Sequence, residues 1–111
     1  MTRLPYVQAQ EAIRAILARI AKHHGVTVDD LLGDRRTRRV AEPWMLAYAV
    51  VEVATGMTLS EIGREFGRDH STILYGIRKA RAVHGDLFID TLGADFRERF
   101  EPKPLNMGAA A

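Results

Sequence analysis

Residues 58–81, TLSEIGREFGRDHSTILYGIRKAR, leave few options to the chain that contains them. Thr58 stands three residues before Glu61, the spacing at which each side chain satisfies a free backbone N–H of the other at a helix start. Leu59, Ile62 and Phe66 then share one face of a two-turn helix. Gly67 suits the left-handed conformation that ends a helix. Asp69 is a good N-cap for a second helix, and its charge complements the positive end of that helix dipole. The second helix keeps Ile73, Ile77 and Ala80 on one side. It offers His70, Ser71 and Thr72 in its first turn, and Tyr75, Arg78 and Lys79 on its outer side. Two short helices around a turn of about three or four residues form a helix-turn-helix, in which the second helix presents its first residues to the major groove.

The rest of the chain reads as helix. Residues 1–5 form a loose lead-in, with Pro5 suited to a first turn. Apolar residues recur at Tyr6, Ala9, Ile13, Ile16, Leu17 and Ile20, predicting a helix from Tyr6 to His24 that Gly25 ends. Thr27 caps a short turn through Leu32, stopped by Gly33. An exposed loop follows, with four arginines at residues 35, 36, 38 and 39. Pro43 is expected to start the next helix, which runs to about Thr55 before Gly56. From Trp44 to Ala54 only Glu52 is not apolar, so this helix should be central and buried on most sides. A last helix is expected from about Asp86 to Phe100, making its apolar contacts through Leu87, Phe88, Leu92, Phe96 and Phe100. Pro102 and Pro104 prevent continuation, and residues 102–111 should be a flexible tail. The expectation is an all-α chain with one domain over residues 6–101, built from four main helices and one or two short ones.

Composition narrows the function. With 111 residues there is room for one core. Residues 34–81 hold nine basic and six acidic side chains, against four and three before them and three and five after, so positive charge gathers in the middle. There is no cysteine, hence no disulfide and no thiolate-held zinc. No apolar run approaches the ~18 residues of a membrane span, and no signal-peptide pattern opens the chain, so the cytoplasm is the expected compartment and no membrane partner is expected. His23-His24 lacks a third ligand at metal spacing, and no nucleophile–base pair or paired carboxylates stand out. Neither metal, cofactor nor enzymatic activity is expected. No phosphate-binding Gly-x-x-x-x-Gly-Lys-[Ser/Thr] loop is present.

The run Gly67-Arg68-Asp69-His70-Ser71-Thr72-Ile73 closely resembles the signature of the C-terminal DNA-binding domain of DnaA, the bacterial replication initiator. The resemblance extends over roughly Ala9 to Phe100 and takes in Asp30-Leu31-Leu32, Arg35-Arg36-Thr37-Arg38, Val40-Ala41, Pro43 and Leu59-Ser60-Glu61-Ile62-Gly63. It implies an all-α, Trp repressor-like fold that grips double-stranded DNA in two grooves. The positions matching Asp69, His70 and Ser71 contact bases in the family, those matching Ser71 and Thr72 hold phosphate, and the one matching Arg36 enters the minor groove. The chemistry of these side chains agrees. A carboxylate accepts from the cytosine amino group, hydroxyls and helix-start N–H groups favour phosphate, and a guanidinium gains from the minor groove's potential. The expected DNA-binding set is Arg35, Arg36, Arg38, Arg68, Asp69, His70, Ser71, Thr72, Tyr75 and Lys79, with Tyr75 open between packing and backbone contact.

Some positions depart from the family. Glu42 and Glu52 replace residues that are often basic, Trp44-Met45 replaces a usual Arg-Gln pair that grips the backbone, and one glycine before Arg68 is missing. Each lost phosphate contact lowers affinity and flattens the salt dependence by about one counterion. Two functions therefore compete. One is sequence-specific duplex binding that modulates replication initiation or transcription. The other is an interaction module, with Trp44 and Met45 as an apolar surface for a replication or regulatory protein. Without an ATPase module the chain is expected to be either an excised domain of an initiator or a stand-alone relative, and the initial Met favours the second.

Overall fold

In the computed structural model, which describes residues 2–32 and 38–102, six helices follow one another. They are α1 (Tyr6–His23), α2 (Val28–Leu32), α3 (Arg38–Thr55), α4 (Leu59–Phe66), α5 (His70–His84) and α6 (Asp86–Phe100). There is no strand among the described residues. The expected all-α class is the observed one.

The nearly all-apolar run makes α3 the axis of the molecule. Leu46, Ala47, Tyr48, Ala49, Val50, Val51 and Ala54 are all buried, and α1, α5 and α6 pack around them. Full burial of a Leu, Val or Phe side chain stabilises by about 1.5–3 kcal/mol, so this helix carries a large share of the core energy. Thr55, also buried, donates to the Val51 carbonyl at 2.7 Å and accepts from the Met57 N–H at 3.2 Å, which satisfies its hydroxyl. α3 begins at Arg38 rather than at Pro43, so Pro43 lies inside the helix. Its missing N–H forgoes the bond to the carbonyl of residue 39, and complete burial of its ring offsets that loss.

Three apolar expectations are corrected. Tyr6 is 74% exposed, Leu87 81% and Phe88 50%. On α6 the buried stripe is Ile89, Gly93 and Phe96, with Leu92 and Phe100 packed at its edge. Spacing names a face, but only the neighbour opposite decides whether that face is covered. A side chain at Gly93 would put Cβ 2.5 Å from Val53 Cβ, so glycine is what lets α6 cross α3 closely.

Residues 2–5 are tied down rather than loose. Leu4 is buried and its N–H donates to the Thr55 carbonyl at 2.8 Å. Arg97 donates to the carbonyls of Ala54 and Thr2, and Arg3 pairs with Glu61 at 2.8 Å. The segment passes so close to Gly56, whose φ is +74°, that a Cβ there would lie 3.1 Å from Arg3 Cα. The short α2 forms as its cap predicts. Thr27 N–H donates to Asp30 and Asp30 N–H to the Thr27 hydroxyl, both at 3.0 Å.

Glu52 is half-buried on α3. It lies within electrostatic reach of Arg81, which bridges Asp86 at 2.9 Å and Asp90 at 3.0 Å across the α5–α6 corner. Burial raises the Glu52 pKa, and attraction to Arg81 offsets part of that rise.

Candidate nucleic-acid interface

The helix-turn-helix is assembled by two caps and a glycine. Thr58 accepts from Glu61 N–H at 3.2 Å while its own N–H donates to Glu61 Oε1 at 3.0 Å, which is the expected reciprocal cap of α4. The Thr58 N–H, ahead of other causes, holds the Glu61 carboxyl below its usual pKa. Gly67 ends the helix in the left-handed region at φ +65°. Its N–H and that of Arg68 both donate to the Gly63 carbonyl, the second at 2.8 Å. The turn is thereby folded over Gly63, where an added Cβ would lie 2.4 Å from the Arg68 carbonyl oxygen. The missing second glycine does not prevent closure, since Gly67, Arg68 and Asp69 span the gap between α4 and α5.

Asp69 caps α5 as its position predicts. One carboxylate oxygen accepts from the Ser71 N–H at 3.1 Å and from the Ser71 hydroxyl. The other lies 3.6 Å from His70 Nδ1. The Ser71 hydroxyl first, then its N–H, pulls the Asp69 pKa down, so the group is ionised through the neutral range.

α5 buries Ile73, Gly76, Ile77 and Ala80 against the core and turns the opposite side outward. His70, Ser71, Thr72, Tyr75 and Lys79 are all exposed, so the structure brings these predicted residues together on one free helix face. Arg78, named on the outer side but not in the expected DNA-binding set, lies on the same face. It is exposed and stands three residues after Tyr75 and seven after Ser71, on the same stripe. Among the described residues neither Arg78 nor Lys79 has an ion-pair partner. Arg35 and Arg36, and the side chain of Arg38, lie outside the described residues.

Trp44 does not form the exposed patch expected of it. It is 8% exposed, meets Phe66 edge-on at 5.2 Å and lies 5.7 Å from Tyr48. The reason is its place on the first turns of α3, where the end of α4 covers it. Met45 is half-buried and, with Tyr48, Thr72 and Tyr75, helps line a pocket of about 120 Å³ between α3 and α5. Gly76 lets the two helices approach there, because a Cβ would sit 2.8 Å from Tyr48 Cδ2. No group of three or more metal-ligating side chains occurs among the described residues, and no described helix is long and apolar enough to cross a membrane.

The family profile described as "Bacterial dnaA protein helix-turn-helix" matches residues 13–80, more than half of the chain. The chain belongs to the DnaA helix-turn-helix family. Relatives include chromosomal replication initiator proteins DnaA from Bartonella quintana (44% identical over 68 residues), Brucella abortus (42% over 67) and Xanthobacter autotrophicus (46% over 65). These alignments cover 58–60% of this chain and only 13–14% of each relative. No solved structure gives a significant match. The match to the DnaA profile is shorter than the Ala9–Phe100 range expected from the motifs. It ends at Ala80 within α5, so α6 lies outside it although Ile89 and Phe96 complete the same core.

Proposed function

We propose that this DnaA-type domain binds double-stranded DNA sequence-specifically and so modulates replication initiation or transcription in the cytoplasm. The observation that carries the reading is the first turn of α5. His70, Ser71 and Thr72 are exposed behind a well-made Asp69 cap, on a helix whose other side is locked into the core. In this reading the turn enters the major groove. Ser71 donates its hydroxyl to Asp69 and keeps lone pairs that accept from a base amino group. Asp69 keeps one oxygen for its cap and turns the other to a cytosine amino group. Thr72, Arg68, Lys79 and Tyr75 meet the backbone, and Arg35, Arg36 and Arg38 reach the adjacent minor groove and its phosphates. The working unit is residues 6–101 together with the lead-in that Leu4 anchors in the core, a binding module with no chemistry of its own and no cofactor.

The competing reading, a protein-interaction module, loses Trp44 as an exposed anchor. Titration of labelled duplexes at two salt concentrations separates the two. Duplex binding weakens steeply with salt by release of one counterion per phosphate contact. Little binding at either concentration would leave the interaction module standing. Selection from random duplexes then gives the preferred site.

A further inference from the structure

Trp44 comes from the first turns of α3 and Arg68 from the turn before α5, yet the guanidinium carbon lies 5.8 Å from the indole centroid. The indole is held on two sides, edge-on by Phe66 and against Tyr48. Phe66 is the last residue of α4, so the ring is fixed to the same turn that bears Arg68. Arg68 Nη1 also donates to the Gly67 carbonyl at 3.3 Å, and no carboxylate pairs with Arg68 among the described residues. An arginine lying over a ring loses the use of one face only. Its N–H donors point outward in the guanidinium plane and stay available to an anion. Arg68 and Thr72, a predicted phosphate-holding residue, border the same pocket beside α5.

We infer that Trp44 is a positioning residue. It holds the Arg68 guanidinium ready for a backbone phosphate of the duplex. The inference rests on the duplex-binding reading above. An arginine fixed before binding loses less freedom on contact, which strengthens binding without adding a contact. A cation–π contact of this kind corresponds to roughly two- to five-fold in affinity.

The test is a double-variant cycle on the full chain. Duplex affinity is measured at several salt concentrations for the wild type, Arg68→Ala, Trp44→Leu and the pair, with a thermal melt for each. Arg68→Ala should lower the slope of log affinity against log salt by about one. Trp44→Leu should weaken binding about two- to five-fold when Arg68 is present and not further in Arg68→Ala, while Trp44→Phe restores most of the loss. Equal weakening by Trp44→Leu in both backgrounds overturns the inference and leaves Trp44 a core residue. If Trp44→Leu does not fold, the chain's one tryptophan supplies the second measurement. Saturating duplex should change indole emission in the wild type and not in Arg68→Ala, and an equal change in both overturns the inference. A wild-type chain that binds no duplex removes both readings, whereas binding with additive variants removes only this one.

Discussion

Replacing Gly63 by alanine puts a methyl group where the structure has a carbonyl oxygen. The new Cβ would lie 2.4 Å from the Arg68 oxygen, with the Arg68 carbonyl carbon at 3.5 Å and the His70 nitrogen at 3.6 Å. Ordinary contact requires about 1 Å more. The obstacle is backbone, held in place by the two N–H groups that Gly63's own carbonyl accepts. Helix propensity favours alanine by about 1 kcal/mol. Overpacking opposes it with about 1–3 kcal/mol, and each weakened hydrogen bond adds up to about 1 kcal/mol. The net expectation is a loss of roughly 1–3 kcal/mol, a fall in melting midpoint on the order of 5–15 °C for a domain of this size. Duplex affinity should fall further than the loss of folded molecules explains, because the displaced turn carries Arg68 and Asp69. Gly67→Ala is the control. Nothing lies within 4 Å of its added Cβ, so only the strain of φ +65° is felt, about 1 kcal/mol. Thermal unfolding followed by far-UV circular dichroism, with duplex titration on folded protein, measures both. A Gly63→Ala protein that melts at or above the wild-type midpoint would refute the reasoning.

Other outcomes follow from the same contacts. Asp69→Ala should relax base preference in a selection from random duplexes, at about 1–3 kcal/mol for the best site; equal loss on every duplex would show a capping defect alone. The folded-state pKa of Asp69 is depressed, so the stability it contributes is present above the usual carboxylate range and lost as pH falls through the lower folded value. Asp69→Asn should therefore flatten the acid limb of a midpoint-against-pH curve below about pH 4. Glu52 has the opposite sign. Its raised pKa favours the protonated folded form, so its unfavourable contribution grows as pH rises past the unfolded value of 4.5. Glu52→Gln should then raise the neutral-pH midpoint slightly, and a fall would mean that attraction to Arg81 outweighs burial. Arg36→Ala should weaken binding to most duplexes, most where A·T pairs narrow the minor groove, and lower the salt slope by about one. An unchanged slope would place that arginine off the DNA.

What the sequence alone determined is local. The Thr58–Glu61 and Thr27–Asp30 caps, the left-handed Gly67, the Asp69 cap and the outward face of α5 all depend on groups within about four residues of one another. Such features are legible because the chain brings their partners together whatever else it does. The unbroken apolar run of α3 was legible too, since a helix apolar nearly all round has nowhere to go but the interior.

The tertiary structure decided whatever needs a partner distant in sequence. It put Leu4 under cover beside Thr55 and left Tyr6, Leu87 and Phe88 outside, although all are apolar at plausible spacings. It covered Trp44 with Phe66 and set Arg68 over the ring. It also gave Gly93 its purpose at the α3–α6 crossing. Periodicity states which way a side chain points along its own helix. Which neighbour waits there is set by how helices far apart in the chain come to rest on one another.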